Sequence, residues 1–200
     1  MPRRVAIAVL APPAWTPPGA DPAAWRVALA EDVLDVLATL AEVEAAVAVR
    51  AEDARLRSAV GWPGLTWYPV RRLTAQEVLA AAAADGYAQA ALVAADAPDL
   101  PGMLIAKLLR PLTTRPLAVA PATGADRGLV GLGANLPGPD WLPDAPLDEL
   151  SAGSIRANAP RAQDVAVTPG WHRLRAPDDL RRLDPGLEGW DATRALLTGR

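Results

Sequence analysis

Six apolar residues in succession, 90–95, end abruptly at Asp96. Pro98 cannot donate to a continuing ladder, and Leu100-Pro101 opens a new helical segment. A short continuous apolar run closed by turn residues predicts a strand buried on both faces, as in a parallel sheet. Similar runs predict strands over residues 5–10, 45–49, 65–70 and 116–121, and short ones over 164–167 and 171–174. Between them lie helical patterns. Asp21-Pro22 supplies an N-cap and a proline at the first helical position, and the helix should run to about residue 41. Thr74-Ala75-Gln76-Glu77 is a capping box that opens an alanine-rich helix ending at Asp85-Gly86. Further helices are expected over 53–60, 101–109, 147–157, from Ala176-Pro177 onward, and over 191–197. Strands and helices alternate, which predicts an α/β fold with a mostly parallel sheet. Residues 123–148 break the rhythm: they are rich in Gly, Pro and Asp, with only the apolar piece 129–132.

Two hundred residues suit a single domain, 1–200, with a sizeable core, and no internal repeat is visible. Hydrophobic residues make up 51% of the chain, which argues against disorder. The net charge of −3 and pI near 5.2 give no basic face, so no nucleic-acid partner is expected. With no cysteine, disulfides, thiolate nucleophiles and zinc–thiolate sites are excluded. The N-terminal apolar run covers only residues 5–11 before prolines intervene, which suits a first strand better than a signal peptide. No segment approaches the roughly 20 apolar residues of a membrane span. No membrane association is therefore expected, and the protein is expected to be cytoplasmic. The oligomeric state stays open, a homodimer included.

The acid that ends the 90–95 strand carries the candidate chemistry. In an open α/β sheet, ligands bind beyond the carboxyl ends of the strands. A carboxylate there suits a divalent cation that bridges nucleotide phosphates. It equally suits a residue that starts a turn and caps a helix. There is no Walker A loop, no dinucleotide fingerprint and no nucleophile elbow. His172 is the only histidine, and a lone histidine on a strand reads first as structural.

Strand-Asp96-Ala97-Pro98-Asp99-Leu100 resembles the metal-aspartate motif of GT-A-fold nucleotide-diphospho-sugar transferases. The similarity is greatest to small bacterial transferases of unknown function found beside radical-SAM proteins. It is more distant to phospholactate and molybdopterin guanylyltransferases. Two further segments carry the resemblance. Pro121-Ala122 followed by Asp126-Arg127-Gly128 and Gly133 matches a Pro-Ala, Asp-Gly-Gly, Leu-Gly-Leu pattern, with Arg127 in place of the first glycine. Pro177-Asp178-Asp179-Leu180 matches the end of an Asp-x-Asp-Thr-Pro-Glu-Asp-Leu pattern, but Arg173 and Arg175 stand where that pattern has acids.

The resemblance implies a GT-A-like, Rossmann-related three-layer α/β/α sandwich. It implies a nucleotidyl- or glycosyltransferase that uses a nucleoside triphosphate or nucleotide-sugar, a small-molecule acceptor, and Mg²⁺ or Mn²⁺. Asp96 would be the metal ligand and, with Asp126, the catalytic pair; Asp99 would cap and orient the turn. Arg26, Arg127, Gly128 and Arg175 would meet the phosphates. The departures imply an alternative, a degenerate and catalytically inactive relative that binds or scaffolds. The loop of residues 12–19, where relatives carry phosphate-cradling donors, has four prolines and no cation. A cation at Arg175 repels a divalent ion, so weak metal binding is expected, with Arg175 paired to Asp96 or Asp126 or set to meet a phosphate. Asp96, Asp126 and the 12–19 loop are expected in one cleft. Replacement of Asp96 by alanine is expected to spare the fold, since a carboxylate beyond a strand end lies outside the core.

Overall fold

A computed structural model describes residues 2–124, 128–186 and 188–199. Seven strands form one sheet: β1 (Arg4–Val9), β2 (Glu44–Arg50), β3 (Thr66–Val70), β4 (Gln89–Ala94), β5 (Leu117–Pro121), β6 (Leu129–Asn135) and β7 (Val165–Val167). Their spatial order is β3-β2-β1-β4-β6-β5-β7. All pairings are parallel except those of β6, which runs antiparallel to both β4 and β5. The α/β class and the mostly parallel sheet thus hold. The apolar piece 129–132 is the core of β6, and glycine at 131 and 133 hid it from a propensity reading. Those glycines are needed for packing: a Cβ at Gly133 would come within 2.6 Å of the Leu108 carbonyl oxygen.

The strands are buried on both faces, and the period of two sorts their side chains into two cores. From β1, Val5, Ile7 and Val9 enter one core, together with Val78 and Leu79 of α2 (Ala75–Ala84) and Ile155 of α4 (Ala152–Asn158). Ala6 and Ala8 enter the other, with Val33, Leu34 and Leu37 of α1 (Pro22–Ala38) and Ile105 and Leu108 of α3 (Gly102–Leu109). The result is the α/β/α sandwich. Alanine dominates the middle strands, so these helices lie close to the sheet.

The helix starts follow the expected caps. The Asp21 carboxylate accepts from the Ala24 amide at 2.8 Å, and Thr74 caps α2. Glu77 does not close the capping box; its carboxylate accepts from the Arg72 amide and guanidinium at 2.9 Å. The segment 147–157 begins its helix only at Ala152, where Ser151 and Ser154 form a reciprocal cap. The expected helix at 53–60 is a 3-10 turn over Ala51–Ser58, and the one after Ala176 a 3-10 turn over Pro177–Arg182. Residues 171–174 form no strand. They make one bridge, Trp171 to Ala122, because the Leu174 amide turns to the Asp96 carbonyl oxygen at 2.7 Å.

A third cluster joins the chain's two ends. Trp25 and Leu29 of α1 pack with Leu174, Leu183 and Trp190, and α5 (Asp191–Thr198) docks on α1. The buried Asp32 carboxylate accepts from the Ala192 and Thr193 amides at 2.9 and 2.8 Å, so a residue in the middle of α1 caps α5. Trp25, fully buried, also donates its indole N–H to the Trp15 carbonyl at 2.9 Å and meets the Trp15 ring edge-on. It therefore fixes the 12–19 loop that follows β1. Trp25→Ala should lower the unfolding free energy by about 3–5 kcal/mol, the usual loss for a large buried aromatic. It should also increase amide exchange in the 12–19 loop. Chemical denaturation with hydrogen-exchange mass spectrometry checks both; wild-type protection in the loop would refute the tie.

Candidate active site

In the order β2-β1-β4, the chain leaves β1 for one side of the sheet and returns to its other side. The carboxyl ends of β1 and β4 therefore flank a topological switch point, where open α/β sheets hold ligands. Asp96 lies just past the end of β4. Pro13 follows β1. Arg26 reaches the same place from the first turns of α1. These three and Arg173 line a single cleft. The expected convergence of Asp96 and the 12–19 loop is thus seen, while Asp126 and Arg127 lie outside the described residues.

Arg173 occupies the centre of this cleft. Its Nε donates to Asp96 Oδ1 at 2.6 Å and its Nη2 to Asp96 Oδ2 at 2.9 Å, a bidentate pair. Its Nη1 donates to the Leu129 carbonyl at 3.2 Å and to Asp148 Oδ1. Four of its five N–H bonds are thus committed. The Arg173 side chain is 3% exposed. Burial disfavours its charge, but Asp96 and then Asp148 outweigh that, and its pKa lies above the ordinary guanidinium value. The arginine remains a cation at every pH at which the protein folds. It also lines a second cavity beside the first, with Asp148, Leu147 and Leu73. The two cavities hold about 10 and 30 Å³, room for a water or two, and share Val9, Ala11 and Arg173 in their linings.

The cation on Asp96 is therefore Arg173 and not Arg175. In the extended segment 171–175, side chains alternate. Leu174 points into the tryptophan cluster, and Arg173 and Arg175 both turn to Asp148. Arg175 Nη2 donates to Asp148 Oδ2 at 3.1 Å, and its backbone N–H is held by Asp179 at 3.1 Å. Gly128 is what admits Asp148. Its φ is +120°, and a Cβ there would lie 2.8 Å from the Asp148 carbonyl oxygen, so its visible role is backbone approach. Arg26 is paired with Asp53 at 2.9 Å and donates to the Leu10 carbonyl; its Nε is buried without a hydrogen-bond partner among the described residues.

Asp99 does not cap its own turn. Its Oδ1 accepts from the Trp171 indole at 3.0 Å, and its Oδ2 lies 3.0 Å from His172 Nε2 without hydrogen-bond alignment. Trp171 and His172 stack, with ring centroids 5.2 Å apart. Asp96 and Asp99 thus each clasp the 171–173 segment against the end of β4. Asp148 and Asp53 carried no signal for these pairings: Asp148 lies in an irregular stretch, Asp53 in the first turn of a short 3-10 piece, and Arg173, Arg175 and Arg26 are distant from them in the chain.

Among the described residues the donor set does not fit a divalent ion. Among the described residues no three His, Cys, Asp or Glu side chains come together as ligands. Both Asp96 oxygens already serve Arg173, and Asp148 is shared between two guanidiniums.

No family model matches the chain, and no curated protein matches it. Solved structures do. A protein of Desulfovibrio desulfuricans G20, provisionally assigned as a nucleotide-diphospho-sugar transferase, superposes with a TM-score of 0.66 at 17% identity, over 100% of this chain and 98% of that one. Mycobacterium tuberculosis glucosyl-3-phosphoglycerate synthase, in complex with Mn²⁺, UDP and glucosyl-3-phosphoglycerate, gives 0.55 at 15%, over 98% and 79%. CMP:2-keto-3-deoxy-manno-octonic acid synthetase, complexed with CTP, gives 0.55 at 12%, over 98% and 97%. The fold is that of the nucleotide-diphospho-sugar transferases. Among the described residues no helix is long and apolar enough to cross a membrane.

The ion pair changes the expectation for Asp96. Its loss would strip the bidentate partner from a buried guanidinium, so Asp96→Ala should cost about 3–5 kcal/mol of stability, measured by urea denaturation. A loss under about 1 kcal/mol would show that Asp148 alone suffices for Arg173.

The Arg26 hydrogen bond, opposed by burial, holds the Asp53 carboxyl below its ordinary value of 3.8. The folded protein therefore favours the ionised form. That contribution is complete above the unfolded value and is lost as pH falls through the lower folded one. The stability difference between wild type and Asp53→Asn should be constant near neutrality and shrink in acid, by urea denaturation at a series of pH values. A difference that grows in acid would contradict the pairing.

Proposed function

We propose that the protein binds a nucleoside-phosphate donor, a nucleoside triphosphate or a nucleotide-sugar, and transfers its nucleotidyl or glycosyl group to a small-molecule acceptor. One observation carries this reading: Asp96, Arg26 and the loop after β1 meet at the switch point between β1 and β4. The transferase fold supports it, as do the nucleotides held by solved proteins of this fold. The finer resemblance, to transferases found beside radical-SAM proteins, belongs to the same proposal. Arg26 and Arg175 would orient the phosphates, and Asp96 would hold Arg173 in place beside them. No step runs through a divalent ion, because the described residues do not fit one.

A second reading has its own support. The Arg173 clasp fills the cleft, and the two cavities are far smaller than the 300–1,000 Å³ of ordinary ligand pockets. A catalytically inactive relative that binds or scaffolds would need no more space. Thermal melts with each nucleoside triphosphate and with nucleotide-sugars separate the outcomes. A donor at about 100 times its dissociation constant should add about 2.7 kcal/mol of stability. Stabilisation together with release of nucleotide or pyrophosphate on single-turnover incubation supports the transferase. Stabilisation without turnover supports the inactive relative. An unmoved melting temperature with every nucleotide would sink both uses of this cleft.

A further inference from the structure

Asp96 and Asp148 carry two negative charges at the carboxyl edge of the sheet, and two guanidiniums lie against them. Arg173 is spent on the carboxylates. Arg175 is not: only one of its five N–H bonds has a partner among the described residues, and its side chain is 22% exposed. A divalent cation bound by two carboxylates would give the same net charge, and it too would neutralise its ligands while offering open positions to phosphate oxygens. The arrangement divides those two tasks between two side chains.

We propose that Arg173 and Arg175 together replace a divalent cation at this site. Arg173 neutralises Asp96 and Asp148 and fixes their positions, and Arg175 presents its remaining donors to a phosphate of the ligand. Phosphate recognition is then independent of divalent metal. The inference rests on the nucleotide-binding reading for its ligand, but not for the exclusion of metal. Charge decides the exclusion. A guanidinium repels a divalent ion at close range even in a surface-like dielectric. Two guanidiniums face the incoming ion, and both Asp96 oxygens are already donated to. Planar guanidinium groups also match the geometry of phosphate.

The test uses Mn²⁺ alone and inorganic pyrophosphate as probes, on wild type, Arg175→Ala and Arg173→Met. By electron paramagnetic resonance of free Mn²⁺, wild type should bind none at millimolar metal, and Arg173→Met, with Asp96 and one Asp148 oxygen released, should gain binding. By calorimetry, wild type should bind pyrophosphate equally in EDTA and in Mn²⁺. Arg175→Ala should bind it at least tenfold more weakly with an unchanged melting temperature. Should Arg173→Met not fold, the wild-type and Arg175→Ala measurements decide. Mn²⁺ bound by wild type and lost in Asp96→Asn overturns the proposal. So does pyrophosphate binding that requires Mn²⁺, or equal affinity in wild type and Arg175→Ala. No pyrophosphate binding at all overturns the role of Arg175. If nucleotides then still stabilise the protein, the transferase reading stands without it, and if they do not, both fall.

Discussion

A buried guanidinium must be neutralised where it stands, and the carboxyl edge of this sheet is arranged to meet that demand. Arg173 lines two cavities, nearly without solvent contact, and an isolated charge there would be expensive. Its bidentate partner comes from the end of β4, its second carboxylate from the segment after β6, and a carbonyl from the start of β6. Three stretches distant in the chain are thereby held at one point. The Asp99 contacts with Trp171 and His172 repeat the device a few ångströms away. The segment 171–175 meets the sheet only through the Trp171 bridge beyond β5, and owes the rest of its place to these side chains and to the Leu174 amide.

How much of this was legible follows from which interactions are local. The 90–95 run announced β4 because burial on both faces leaves no alternation to misread, and the acid that ends it marked the site. Asp21-Pro22 and Thr74 announced the helices because capping is satisfied within three residues. β6 was half visible, since its glycines are there for close helix packing and weaken any propensity signal. Asp148 was invisible. It lies in a Gly- and Pro-rich stretch, and its partners are 25 and 27 residues away. Arg173 showed only as a departure from a familial acid, and nothing local could say that it, and not Arg175, would reach Asp96 across 77 residues. The identity of a partner at that distance depends on the sheet order, which periodicity does not determine.

The 12–19 loop illustrates the opposite trade. Its prolines remove the amides a phosphate nest would need. The tryptophan pair and the indole hydrogen bond then pin what remains to α1. A loop built this way is ordered by packing before any ligand arrives. The side chains that the loop leaves at the cleft are Arg26 and, across from it, Asp96 with Arg173.

A divalent ion and a pair of guanidiniums make different sites even when they bring the same charge to the same carboxylates. The ion is exchangeable, so its charge can be removed without unfolding the protein, and its coordination can open as a ligand arrives. A guanidinium is covalently fixed, keeps its proton, and holds carboxylates in a planar, directional geometry. Exchanging one for the other moves the site's positive charge from the medium into the fold. The cleft's electrostatics then cease to depend on divalent concentration and depend on the stability of the 171–175 segment. That segment is tied in turn to Trp25 and α5 through Leu174. The tryptophan cluster, whose Leu29 also lines the cleft, therefore helps to hold the charge in place there.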